Sequence, residues 1–274
     1  MKRIFGLTLL VLLFVTVASY TNITSSKASA AAAPSTHAAA FKVARNDVSK
    51  GRLTRDNFED SLRTLYHSIG LEKAGLKYDV FRFGMIGYYS LRQQGKLSQR
   101  DIVSFIDFSK PSTEKRFYTV DLKKKSLKFH SLVSHGKNTG QNMATSFSNT
   151  VHSNQSSLGF YLTGETYVGS KGYSLRLDGL DGSYNDKMRE RAVVMHEANY
   201  VSESWIRKYG RLGRSQGCPA LPKEISRKVI DTIKDKTLIF AYFHDSEYLA
   251  NSTHLNIDNL FDRLDVFEAV TAEL

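Results

Sequence analysis

Residues His196–Pro222 read HEANYVSESWIRKYGRLGRSQGCPALP, and the stretch contains Cys218, the only cysteine in 274 residues. A lone thiol cannot close a disulfide within its own chain, so it is either a small buried hydrophobe or a reactive group. The flanks favour the reactive group. Ser215, Gln216 and Gly217 precede the sulfur without an apolar side chain, and Pro219 fixes the backbone just after it. Gly217 can take a positive φ or bring the backbone close to a ligand. A turn of this kind exposes a sulfur and aims neighbouring N–H groups at an oxyanion, as acyl transfer requires.

A thiol nucleophile also needs a base. His196 closes the apolar run RAVVMH, 22 residues before Cys218, so an adjacent strand and loop can bring imidazole and sulfur together. Seven other histidines compete for that role: His37, His67, His130, His135, His152, His244 and His254. The sequence has neither HExxH nor CxxC spacing, and we expect no metal site and no cofactor.

Outward from this stretch the texture is mostly strand. FYTVDL (117–122) and LKFHSLVS (127–134) flank a basic turn and predict a hairpin. LGFYLTG (158–164), YSLRLDG (173–179), RAVVMH (191–196) and TLIFAYF (237–243) add further strands, with helices expected over 200–209 and 222–235. In YSLRLDG the alternation puts Leu175 and Leu177 on one face and Arg176 and Asp178 on the other. Short strands with few helices argue for a mainly β fold with a sandwich or irregular barrel core. Ahead of it the period is helical. Thr54 caps a stripe of Phe58, Leu62, Leu65, Tyr66 and Ile69 that ends at Gly70, and a second stripe runs from Tyr78 to Leu91. A third short helix, capped by Ser98 with Asp101 three residues on, is predicted to carry Ile102, Val103, Phe105 and Ile106. Residues 53–108 are thus expected as a small helical region packed on a catalytic domain over 109–245.

The chain ends read differently. Lys2 and Arg3 precede 15 residues, Ile4–Ala18, whose only polar side chains are threonines. This is the pattern of a signal peptide, shorter than the ~20 residues a membrane span needs. Cleavage is expected after residue 19 or as late as residue 30, with an uncleaved anchor as the alternative. Residues 20–45 are small, polar and Ala-rich, and the segment 20–52 is expected as a flexible linker, with a propeptide remnant as the alternative. The tail over 246–274 is acidic, with Asp258, Asp262, Asp265, Glu268 and Glu273 against Arg263 in its last part. The formal charge is +11, or +9 without Lys2 and Arg3. An exported basic protein is drawn to anionic wall or membrane surfaces, while nucleic acid is a poor partner in that compartment. Periplasm or cell envelope is the expected location.

The ordered set HEANYVSESWIRKYGRLGRSQGCPALP, SHGKNTG, SLGFY and SLRLDGLDG resembles the murein L,D-transpeptidase catalytic domain family, in its divergent YkuD-like exported branch, over roughly residues 53–245. The resemblance implies an L,D-transpeptidase-like β-sandwich core whose cysteine attacks a peptidoglycan stem peptide. It implies Cys218 as nucleophile, His196 as general base and acid, Gly217 as an oxyanion-hole backbone donor and Ser215 as a supporting hydroxyl. The family signature places a second histidine where this chain has Gln216, and Pro219 and Ala220 replace the hydrophobic and basic or amide residues usual after the cysteine. Arg214, Gln216, His135, Lys137, Arg176 and Tyr161 are the candidate substrate contacts. All but Gln216 have a structural alternative: a surface ion pair for Arg214, an ordinary hairpin end for His135 and Lys137, pairing with Asp178 for Arg176, and packing for Tyr161. The implied reaction is transfer of a stem tetrapeptide from a thioester to an acceptor amine. Trimming by an L,D-carboxypeptidase, attachment of a protein to the stem, and an inactive peptidoglycan-binding protein are the alternatives.

Overall fold

The computed structural model describes residues 54–263. The signal-peptide and linker assignments and the tail from residue 264 lie outside them. Among the described residues no helix is long and apolar enough to cross a membrane.

Two helices open the described chain. α1 (Arg55–Ile69) starts on a capping box in which Thr54 and Asn57 satisfy each other's backbone N–H, and stops at Gly70 with φ 77°. α2 (Tyr78–Gln93) follows. Then come β1 (Ile102–Asp107), β2 (Phe117–Asp121), β3 (Ser126–Ser131), β4 (Gly159–Gly169), β5 (Gly172–Gly179), α3 (Gly182–Asn185), β6 (Val194–Glu197), α4 (Glu203–Tyr209), β7 (Ala220–Leu221), α5 (Lys223–Ile233), β8 (Leu238–Tyr242) and α6 (Ser246–Asn251). The eight strands form one sheet in the order β3-β2-β1-β8-β4-β5-β6-β7. β1 runs parallel to β8 and β6 parallel to β7; the remaining pairs are antiparallel. The β-rich core with helices at its N-terminal side agrees with the fold class expected from sequence.

The expected third helix is a strand. Ile102–Asp107 is β1, hydrogen-bonded between β2 and β8 and buried along its whole length. Val103 and Phe105 enter the apolar cluster beneath α1 and α2, while Ile102 and Ile106 enter the cluster on the opposite face. A strand covered on both faces shows a continuous apolar run, and such a run hides its period of two. The segment 53–108 therefore gives the sheet a central strand as well as two helices.

Both faces of the sheet are covered. On one, α2 lies close against β1 and β4 because Gly84 and Gly87 face the rings of Phe105 and Phe160. On the other, Val229, Ile230 and Ile233 of α5 pack with Leu175, Met195 and Ile239. The chain after β8 is anchored to the core at Asp181, whose buried carboxylate accepts from Phe160 N–H (2.6 Å), Ser252 Oγ (2.6 Å) and Tyr248 Oη (3.3 Å). With both faces held, the edge formed by β6 and β7 is fixed, and that edge carries the cysteine turn.

A Cβ added at Gly87 would sit 2.1 Å from Phe160 Cζ. Overpacking costs about 1–3 kcal/mol, against a helix-propensity gain of about 1 kcal/mol for alanine over glycine. Gly87→Ala is expected to lower the urea midpoint; an unchanged or raised midpoint would show that α2 does not lie this close to β4.

Candidate active site

The parallel pairing of β6 with β7 sets His196 opposite Ala220, two residues beyond Cys218. Between α4 and β7 the chain passes through a tight turn held by one hydroxyl. Ser215 Oγ donates to Cys218 C=O (2.6 Å) and accepts Gly217 N–H (3.1 Å). Gly217 has φ 120°, a conformation that L side chains rarely adopt, and a Cβ there would meet Gln155 C=O at 2.8 Å. Neighbouring chain stitches the turn from outside. Ser215 N–H donates to His135 C=O (3.0 Å), Lys137 N–H to Ser215 C=O (2.8 Å) and Ser156 Oγ to Gly217 C=O (3.1 Å).

The sulfur is half-buried and has two polar contacts, both with backbone. Val194 N–H donates to Sγ at 3.4 Å, and the thiol points at Ala192 C=O at 3.8 Å. Burial pushes the thiol pKa up, and Val194 N–H, Arg191 and Lys171 each pull it back. Among the described residues none accepts Cys218 N–H. Ala192 has φ 52°, an unusual backbone for a residue with a side chain, and it sits where its carbonyl meets the sulfur.

Cys218 opens into a cleft of about 680 Å³. It is lined by Tyr167 and Lys171 of the β4–β5 hairpin, His196 and Glu197 of β6, Tyr200 and Arg214–Gln216. His196 is nearly buried, and burial holds its pKa below the usual value, so the ring is neutral near pH 7. Its Nδ1 lies 2.7 Å from Glu197 C=O. A carbonyl only accepts, so Nδ1 carries the hydrogen and Nε2 is left as the basic nitrogen. No hydrogen bond joins His196 to Cys218; the two groups share the cleft.

Of the other residues singled out from sequence, the structure brings three to the cleft. Ser215 braces the turn, Gln216 is exposed at the rim, and Arg214 lines the wall while donating to the carbonyls of Lys137 (2.9 Å) and Gly140 (3.0 Å). The remaining candidates do not line the cleft. The N–H of Gly217 is taken by Ser215, so the free donor beside the sulfur is that of Cys218. His135 is buried below the turn, with Nε2 donating to Gln141 C=O (3.0 Å) and Nδ1 accepting from Arg116 (2.8 Å). Lys137 contributes its backbone, and its exposed side chain does not line the cleft. Arg176 pairs with Glu165 (3.1 Å) and stacks over Tyr167 at 4.5 Å, while Asp178 pairs with Arg189 (2.5 Å). Tyr161 is a core residue whose hydroxyl donates to Ser157 C=O. Among the cleft residues that escaped the sequence reading are Lys171 and Tyr200. Lys171 sits in the short β4–β5 turn, and the Tyr200 hydroxyl is pushed up to about 12, first by burial and then by the charge of Cys218. Gly172 after Lys171 marked that turn in the sequence; nothing marked Tyr200 apart from its proximity to His196.

The family model described as the L,D-transpeptidase catalytic domain matches residues 72–242. The protein therefore belongs to the L,D-transpeptidase catalytic domain family. No curated protein matches the sequence. Solved structures with similarity include an L,D-transpeptidase from Mycobacterium smegmatis (12% identity, 53% of this chain and 59% of that one, TM-score 0.34). Two others are the helical cell shape determining protein Pgp2 from Campylobacter jejuni (14%, 60% and 57%, 0.35) and an L,D-transpeptidase from Stackebrandtia nassauensis (12%, 77% and 92%, 0.32). The chain thus spans 59% of the length of the M. smegmatis protein.

The buried imidazole of His135 gives a pH test. Burial and Arg116 hold its pKa at about 3, against about 6.5 in an unfolded chain. The stability this contributes is fully present above about pH 6.5 and is lost as pH falls toward 3. His135→Gln is expected to be less stable than wild type at pH 7 and to lose less on going to pH 4.5, measured by urea unfolding at both values. A variant that loses as much as wild type over that interval would contradict this assignment.

Proposed function

We propose that this protein is an exported peptidoglycan L,D-transpeptidase of the cell envelope, acting on stem peptides through Cys218 without a cofactor. The observation that carries the reading is the shared cleft: Cys218, with its half-buried thiol, and His196, with Nδ1 held by Glu197 C=O, line one space of about 680 Å³. Membership in the L,D-transpeptidase catalytic domain family supports the same chemistry.

In the first half-reaction the thiol proton goes to His196 Nε2, and sulfur attacks the carbonyl of the third, diaminopimelate-like residue of a donor tetrapeptide. The oxyanion develops against Cys218 N–H. Terminal D-Ala leaves with the proton from His196, and a thioester remains. In the second half-reaction His196 takes a proton from the side-chain amine of an acceptor stem, the amine displaces sulfur, and the thiol is restored. A single oxyanion donor is worth on the order of 3 kcal/mol in acyl transfer, and a positioned acid–base group about 10²–10⁴ in rate. The exported setting and the linker over 20–52 belong to the same proposal.

Purified muropeptides separate the outcomes. Wild type is expected to yield cross-linked dimers by mass spectrometry, Cys218→Ala none, and His196→Gln a rate lower by about 10²-fold or more. A carbapenem, as a thiol-reactive acyl donor, is expected to add one adduct to wild type and none to Cys218→Ser. Tripeptides without dimers would replace transfer by trimming, a protein–muropeptide adduct would make a protein the acceptor, and binding to sacculi without any Cys218 adduct would leave an inactive binding protein.

A further inference from the structure

Arg191 reaches the cysteine turn without lining the cleft. A Cβ placed at Gly217 would lie 3.4 Å from its Nη2. Nη1 donates to Ser148 C=O (2.7 Å) and Ser157 Oγ (2.6 Å), and Nη2 to Ser153 Oγ (3.2 Å) and Gln155 C=O (2.5 Å). All four acceptors are neutral, and among the described residues no carboxylate pairs with this guanidinium. Its charge is therefore uncompensated in a half-buried setting, where a neighbouring anion feels it more strongly than in water. The same short segment supplies both polar contacts of the sulfur: Ala192 C=O, next to Arg191, and Val194 N–H. The left-handed backbone at Ala192 lets one segment present the guanidinium and these backbone groups together. Meanwhile the imidazole of His196 makes no hydrogen bond to the sulfur, and the residues after the cysteine, Pro219 and Ala220, bring no cation.

We propose that Arg191 is the counter-charge of the Cys218 thiolate, a positioning residue that stabilises the anion while His196 holds the proton. The inference rests on the acyl-transfer reading for its purpose. When the S–H bond breaks, the proton passes to His196 Nε2, the electron pair stays on sulfur, and Arg191 keeps all its protons. The other charged or titratable groups of the cleft are Tyr167, Lys171, His196, Glu197, Tyr200, Arg214 and Lys223. All are unchanged in the variants below, so differences report on Arg191. The direction of the electrostatic interaction is consistent, since Arg191 lowers the thiol pKa.

The test is the pH dependence of Cys218 alkylation by iodoacetamide in the full chain, which needs no stem peptide. Arg191→Gln is expected to raise the midpoint by about 1 pH unit or more, and Arg191→Lys to stay nearer wild type, because charge rather than hydrogen-bonding shape sets it. Ser153→Asp keeps the guanidinium but gives it a carboxylate, and it too is expected to raise the midpoint; it serves if Arg191→Gln does not fold. Equal midpoints in wild type, Arg191→Gln and Ser153→Asp would overturn the proposal, as would an equal shift in the Gln and Lys variants. A moved midpoint in a protein that makes no dimers would uphold this inference and reject the transpeptidase reading. An unmoved midpoint in a protein that does make dimers would do the reverse.

Discussion

The cysteine turn depends on one hydroxyl. Ser215 Oγ closes the loop by giving its proton to Cys218 C=O and receiving Gly217 N–H, so the backbone on both sides of the Gly217–Cys218 peptide is held by the same atom. This pairing leaves Cys218 N–H without an acceptor among the described residues. The left-handed glycine makes the geometry sterically accessible, and Ser156 and His135 fix it from outside. A nucleophile held this way needs little reorganisation when charge develops, which is the condition for electrostatic stabilisation of an acyl-transfer transition state.

Beneath the turn lies a polar network that an apolar core would not need. Arg116 is fully buried, donates to Val133 C=O through two nitrogens (3.1 and 3.0 Å) and to Lys110 C=O (2.9 Å), and reaches His135. Burial lowers its pKa to about 9, with Asp107 acting in the opposite direction. His135 passes the constraint to Gln141 C=O with its ring and to Ser215 N–H with its backbone. A buried network of this kind stabilises one loop conformation because any alternative leaves buried donors or acceptors unpaired. The loop over 135–141 thus supports the site from below.

Local sequence carried much of this arrangement. The Thr54 cap, the Gly70 stop, the β2–β3 hairpin and the placement of Cys218 and His196 around one space follow from short-range patterns of side-chain type and turn residues. What escaped is what depends on partners far apart in the chain. Ile102–Ile106 looked helical because burial on both faces erases alternation, and no local signal reports a neighbour as distant as β8. His135 and Arg176 are polar residues whose sequence setting suits ligand contact or internal pairing; their partners Arg116 and Glu165 lie on other stretches of the chain. Gly217 was legible as a conformational need, but which N–H the turn would leave free depends on the Ser215 hydroxyl.

The most direct measurement is a crystal structure of the protein acylated on Cys218 by a carbapenem. The account expects continuous density from Sγ into the cleft beside Tyr200, the acyl oxygen within hydrogen-bond distance of Cys218 N–H, and Gly217 N–H still on Ser215 Oγ. An acyl group on another side chain, or an acyl oxygen turned away from Cys218 N–H with the Ser215 pairing broken, would contradict it.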